Sequence, residues 1–356
     1  MSLRSAMYLP QLTFLRFVAA MLVVFYHYGK QTFEAGYPFL HSIIAEGSVA
    51  VSFFFFLSGV VLGINYLGKP LDVRKFWLRR LARIAPLYLL AFILTFCLQA
   101  YYFGDLPRGN AIIAQLFALH AWFPEMCLAI NYPGWSISVE LLFYLIFPLI
   151  ATIVLAFGSV RVSIFLVVIW IGNVLIEVFL RSATTSLDVS GPFILYFPLL
   201  HIGTFAAGCV CAMLIRYMAD RPEASRWSTP LLLGSVLTIA VIYTGDGPLR
   251  ETAHNGGAVP AFFLLITGLA LGKNKLTNIL SKRPFVLLGD ASYAIYLLQF
   301  PVFMLYSHGL RSASLALHEI AIYSTLLILI AIAVYLAFEL PMKRKFLMWF
   351  NGSSPD

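Results

Sequence analysis

The chain has 356 residues, of which 61% are hydrophobic and only 11% charged, with a mean hydropathy of +0.87. Soluble domains carry about 25% charged residues, so a soluble globular fold is excluded and lipid is the expected solvent. The net charge of +8 would suit nucleic acid, but its distribution along the chain assigns it to a membrane surface.

Apolar runs long enough to cross about 30 Å of hydrocarbon recur from end to end. They are continuous rather than alternating, and lipid leaves the backbone only helices or closed barrels. Helices are therefore expected, at about 9–28, 47–67, 84–103, 136–157, 160–180, 193–217, 227–244, 258–272, 285–306 and 319–341. This predicts an all-α fold, a polytopic transmembrane helical bundle of about ten helices, as one integral-membrane domain over residues 1–356. With the N-terminus inside, 19 of the 24 basic residues fall on the cytoplasmic side. Only Lys30, Arg108, Arg181, Arg250 and Arg311 lie outside. Such a bias predicts N-in and C-in. The cysteines Cys97, Cys127, Cys209 and Cys211 have no disulfide or metal spacing and read as small buried hydrophobes; no metal site is expected.

The first run carries Arg16 and His27 and lacks a small-residue cleavage site, so it reads as a retained helix rather than a signal peptide. Ionisable groups at membrane depth cost about 2.5–3.5 kcal/mol each on the insertion scale. Eleven residues make about three turns, so the two share a helix face, roughly 16 Å apart in depth. That stripe predicts the wall of a cavity, with Arg16 toward the cytoplasm and His27 near the outer surface. The second span ends in a phenylalanine run and Ser58-Gly59, expected to make a close helix contact.

Between Lys69 and Arg83 the chain is strongly basic. Arg80 and Arg83 are three apart, hence neighbours on one helix face just before Ile84-Ala-Pro86 enters the membrane. Paired guanidinium groups suit phosphate through bidentate hydrogen bonds, and an anchor to anionic lipid is the plainer alternative. The outer stretch from Gly104 to Gly134 is long, and its apolar segment Ala111–Trp122 is short enough for a re-entrant or interfacial helix.

The fourth span opens Trp135-Ser-Ile-Ser-Val-Glu140-Leu-Leu-Phe-Tyr144. Trp135 is expected as an interface anchor, and Ser136 as a cap for the first turn. Glu140 either gains from the helix dipole or, at a depth similar to His27, orients that imidazole as a general base. Asn173 and Glu177, four apart, and His201 either line the same cavity or pair with one another. Glu339 is expected in a salt bridge near Lys343–Lys345.

These pieces, in this order, resemble the membrane acyltransferase-3 family, bacterial O-acyltransferases that decorate exopolysaccharide, O-antigen and related glycans. Arg16 and His27 match its first-helix motif, and Arg80-Leu-Ala-Arg83 with Ile84, Pro86 and Tyr88 its arginine motif. Trp135 to Glu140 with Phe143-Tyr144 is similar to its Trp-Ser-Leu-x-x-Glu segment, and Leu288-Gly-Asp-Ala-Ser292-Tyr293-Ala-Ile-Tyr296-Leu to a late-helix signature. Two departures stand out. Ala50 replaces a usual glycine, and Gln299 stands where the late helix commonly has histidine, so no proton transfer is assigned there. The family often adds an extracytoplasmic hydrolase-like domain, and this chain resembles the stand-alone form.

The resemblance implies an O-acyltransferase, O-acetylating in the first instance, in the bacterial inner membrane. It has no permanently bound cofactor and takes acyl-CoA, chiefly acetyl-CoA, as donor substrate. Arg79, Arg80 and Arg83 would hold the donor phosphates, with Arg16 along its path. His27, oriented by Glu140, would act as base on a hydroxyl of a glycan or lipid-linked oligosaccharide. A covalent acyl-histidine is a variant. Trp135, Ser136 and Tyr144 would line the acceptor side. The partners expected are donor, acceptor and membrane lipids, not nucleic acid. The rival expectation is a transporter or flippase whose polar stripe lines a permeation path. The lack of any internal sequence repeat counts against it. A purely structural subunit would need no ionisable pair in the first helix.

Overall fold

The computed structural model describes residues 9–34, 36–104, 107–184, 189–245, 247–308 and 315–351. Arg4 and Arg311, both part of the expected charge bias, lie outside them. The described residues are helical with no strand, and the chain is an all-α, polytopic helical bundle. Ten principal helices follow in chain order: α1 (Pro10–Tyr28), α2 (Val49–Tyr66), α3 (Val73–Phe103), α4 (Trp135–Phe157), α5 (Ser159–Ser182), α6 (Ile202–Ala219), α7 (Ser228–Thr244), α8 (Val259–Leu271), α9 (Ser292–Tyr306) and α10 (Leu317–Val334). Among the described residues, eight helical segments are long and apolar enough to cross a membrane, and a bent pair ending in α9 would make a ninth. The expected eighth span is α8, with only 13 residues.

Backbone contacts divide the chain into two compact units interleaved in sequence. One comprises residues 1–15, 49–71 and 142–286; the other 16–48, 72–141 and 287–356.

The first unit is built on α2, α5, α6, α7 and α8. Helices α2 and α6 meet through glycine: a methyl on Gly59 would strike the Phe205 carbonyl oxygen, and one on Gly208 the Phe56 carbonyl oxygen. Lipid gives helices no hydrophobic drive to associate, so such backbone proximity supplies van der Waals contact instead. The expected close contact at Gly59 is present. At one end of this unit Trp170 Nε1 donates to the Gly256 carbonyl at 3.0 Å, Thr204 Oγ1 to that of Asn255 at 3.1 Å, and Asn255 Nδ2 to that of Ile194 at 2.6 Å. Asn173 and Glu177 do not pair with each other. Asn173 Oδ1 accepts from the Gly203 N–H at 2.5 Å, and Glu177 binds Arg181 at 2.6 Å. His201 is fully buried in this same unit, so none of the three shares a unit with His27. All four cysteines are free, with Cys97 exposed and the other three buried.

The second unit contains Arg16 to Tyr28 of α1, all of α3, the opening of α4, α9 and the C-terminal helices. Three departures from the sequence reading occur there. Helix α3 starts at Val73 rather than near Ile84, because Asp72 caps it by accepting from the Lys75 N–H at 3.0 Å. The basic stretch is therefore helical, and Pro86 sits inside the helix. The expected continuous ninth span bends by 51° between Arg283–Asp290 and α9. There the Ser292 hydroxyl donates to the Gly289 carbonyl at 2.6 Å and bridges the two helices across the break. Finally, α10 continues through a π-helical turn, Tyr335–Glu339, into Leu340–Asn351. The Leu340 N–H reaches the Tyr335 carbonyl, and Pro341 next to it has no N–H to restore the α pattern.

Candidate active site

Helix α1 carries Arg16 and His27 without interruption, which sets them roughly 16 Å apart along its axis. Asp290 and Gln299 run beside them on the bent pair. Asp290 lies in the field of Arg16 and Gln299 bonds to His27, so two elements of this unit share one register.

At the His27 level, Nδ1 lies 2.9 Å from Gln299 Oε1. The Tyr132 ring meets the imidazole edge-on at 4.7 Å between centroids. The Tyr132 and Tyr28 hydroxyls are 2.5 Å apart, and Tyr28 stacks on Phe303 at 4.3 Å. Aromatic faces thus frame the imidazole, yet its own surface stays accessible. An accessible imidazole among rigid aromatic neighbours is what a proton-transfer group needs: fixed orientation and an open approach.

At the Arg16 level, charge replaces aromatic surface. Arg16 lies in the combined field of Arg83, Glu140, Asp290 and Glu339. Lys343 faces Arg83, Arg80, Glu339 and Asp290. Glu339 is buried, delivered by the π-turn, and is coupled to Arg83 and Arg16 as well as to the expected Lys343. Arg80 and Arg83 are half-buried on α3 with Arg80 over the Phe76 ring, while Arg79 is exposed. Mixed charge of this density sets arginines against carboxylates, so that each guanidinium at this level has an opposite charge nearby.

The predicted pairing of Glu140 with His27 is corrected. Tyr132, in the 3-10 turn Tyr132–Gly134 that precedes α4, stands at the depth of the imidazole. Glu140 comes eight residues later, about 12 Å farther along, and joins Arg16 instead. Trp135 is not an interface anchor, so depth counted from it misplaces Glu140. Trp135 is 5% exposed and belongs to the packed interior. Ser136 lies inside the first turn of α4 rather than ahead of it, and its hydroxyl donates to the Pro133 carbonyl at 3.2 Å. Tyr144 is buried and belongs to the other unit. The structure adds Gln299, Asp290 and Tyr132 to the surroundings of the predicted residues. A glutamine amid the apolar run of α9 was the signal for the first.

The long stretch from Gly104 to Gly134 contains a helix, Gly109–Leu116, and a 3-10 turn, His120–Trp122. Tyr88 donates to the Gln115 carbonyl, and Asn131 Nδ2 donates to that of Leu297 at 3.1 Å, tying this stretch to α3 and α9. His120 is fully buried, its Nδ1 3.3 Å from Ser138 Oγ, and burial pushes its imidazole down to about 4. Between pH about 4 and the ordinary 6.5, the unfolded chain binds a proton that the folded chain refuses, so stability rises with pH across that window. We expect the contribution, about 3 kcal/mol, to be complete above pH 6.5 and lost toward pH 4. Melting temperatures in detergent over this range should fall steeply for the natural chain and less steeply for His120→Gln. Equal slopes would remove His120 from the pH dependence.

The chain matches the acyltransferase domain model of the acyltransferase-3 family over residues 9–338. It is 34% identical over 331 residues to the acyltransferase MdmB of Streptomyces mycarofaciens, covering 86% of this chain and 82% of that protein. It is 24% identical over 369 residues to the O-acetyltransferase OatA of Staphylococcus aureus, a match that takes 96% of this chain but 58% of OatA. No solved structure matches significantly. With nearly the whole helical bundle inside the family match, the chain belongs to the acyltransferase-3 family and is an acyltransferase.

Proposed function

We propose that the protein transfers an acetyl group from acetyl-CoA on the cytoplasmic side to a hydroxyl of an extracytoplasmic or lipid-linked glycan in the bacterial inner membrane. The observation that carries this reading is the pairing of two unlike surroundings along α1, a basic cluster around Arg16 and an accessible imidazole at His27. Their spacing is comparable to the reach of a pantetheine arm. Arg80 and Arg83, with Arg79 at the exposed end of the group, bind the donor phosphates, and the bias of basic residues toward one side supports entry from the cytoplasm. The name of OatA, an O-acetyltransferase, supports oxygen as the acceptor atom.

His27 removes the acceptor proton as the hydroxyl oxygen attacks the thioester carbon. The carbon–sulfur bond then breaks, and the departing coenzyme A thiolate takes up that proton. Sugar hydroxyls are poor nucleophiles at neutral pH, and a positioned base contributes about 10²–10⁴-fold. Glu140 and Asp290 act at the other level, holding Arg16 in place. Purified protein in vesicles, given radiolabelled acetyl-CoA and a glycan extract, should place label on glycan as an ester released by mild alkali. Base-stable label, or glycolipid flux without transfer, would overturn the reading.

A further inference from the structure

The late helix carries Gln299 where the family commonly has histidine, and an amide cannot itself transfer the proton. Its hydrogen bonds give it a different part. Gln299 is fully buried on α9, and its side-chain Nε2 donates to the Tyr296 carbonyl at 2.8 Å. Its own backbone carbonyl accepts from the Tyr323 hydroxyl at 2.7 Å, which pins the residue from a second helix, α10. Reversing the amide would bring its oxygen against the Tyr296 carbonyl, two acceptors with no hydrogen between them. The amide orientation is therefore fixed by its partners. Oε1 is the atom that meets His27 Nδ1 at 2.9 Å. An amide oxygen can only accept, so Nδ1 must carry the hydrogen. A neutral imidazole protonated at Nδ1 has its lone pair on Nε2.

We propose that Gln299 is a positioning residue that locks His27 in the Nδ1–H tautomer and presents Nε2 as the base. This rests on the acyl-transfer reading above and deepens it. In the reaction the acceptor O–H proton moves to Nε2, giving an imidazolium. Its Nδ1–H bond to Oε1 becomes charge-assisted at the moment the positive charge forms. Electrons from the O–H bond form the new ester bond, those of the C–S bond leave with the thiolate, and the Nε2 proton returns to that thiolate. A neutral amide suits the role. It holds the ring and favours the charged form when that form appears, without adding a buried negative charge.

The test reads the tautomer directly. Protein labelled with ¹⁵N-histidine in detergent micelles should show a neutral His27 ring protonated at Nδ1, the signal being assigned by its loss in His27→Ala. In Gln299→Leu the ring should shift toward the Nε2–H form. Transfer should slow by about 10–100-fold in kcat, the loss of one hydrogen bond to a charged group, with KM for the donor within about threefold. Gln299→Glu keeps an acceptor oxygen for Nδ1 but loses the donor to the Tyr296 carbonyl and buries a charge, so it should hold the Nδ1–H form of the ring while recovering only part of the rate. A natural chain protonated at Nε2 would overturn the proposal, and so would a Gln299→Leu ring and rate that do not move. Should Gln299→Leu fail to fold, the spectrum of the natural chain still decides. The two levels of failure are distinguishable. Full turnover in His27→Ala overturns the general-base reading itself, whereas an unmoved tautomer in Gln299→Leu overturns only the positioning role.

Discussion

Replacing His27 by alanine should lower kcat for acetyl transfer by about 10²–10⁴-fold while leaving the protein in the membrane and its melting temperature within a few degrees. The expected separation of activity from stability follows from the setting of the side chain. Its surface is accessible, it makes one side-chain hydrogen bond, and the tight packing around it belongs to Tyr28, Phe303 and Tyr132 rather than to the imidazole. Removal leaves the Gln299 oxygen beside an already open space, where water can replace the lost partner. Asparagine in place of His27 should be as inactive as alanine, since an amide cannot hold a proton at neutral pH. Ester formation on the glycan and thermal melting in detergent together check this. Undiminished transfer by His27→Ala would remove the imidazole from the mechanism.

The other large effect is expected at Arg16, and it should register first in stability. Its guanidinium is the shared counter-charge of Glu140, Asp290 and Glu339, and Arg83 acts on Glu339 as well. Methionine at position 16 keeps most of the side-chain volume and deletes the charge, leaving three acids to one fewer arginine. Removing one partner from a buried charged group costs about 3–5 kcal/mol, because the remaining charge stays desolvated and unpaired. Arg16→Met should therefore melt markedly lower and bind donor poorly. Adding Glu339→Gln to that variant should recover part of the stability, since it removes one of the abandoned carboxylates. Glu339→Gln alone should be mildly destabilising. A double-mutant cycle that is additive would mean that the two residues do not share a charge balance.

Much of this architecture was legible in the sequence because the bilayer imposes a length and a polarity on every span. The apolar runs located all ten principal helices, and the polar stripe of α1 singled out Arg16 and His27. What stayed hidden falls into three kinds. The start of α3 is hidden because the apolar run begins only at Ile84, while Asp72 supplies a cap that extends the helix back through the basic segment to Val73. The bend before α9, where the Ser292 hydroxyl reaches the Gly289 carbonyl of the preceding helix, is not something composition reports. Pairings were hardest. Glu140 and His27 were matched by depth counted from an assumed interface, and an error of two helical turns assigned Glu140 the wrong partner. His27 and Gln299 are 272 residues apart in sequence. Nothing local links them, and only a fold that runs α9 beside α1 makes the amide a neighbour of the imidazole.

The widened turn at Tyr335–Glu339 has a consequence for phase. A π-turn holds one residue more than an α-turn over the same rise, so everything beyond it is rotated by about 100° relative to an unbroken helix. Lys343, four residues past Glu339, owes its aspect toward Arg80 and Arg83 to that surplus residue. The last helix is thus indexed like a key whose teeth are offset by a single notch: shortening the chain by one position there would leave its composition almost untouched and turn its basic teeth away from the lock.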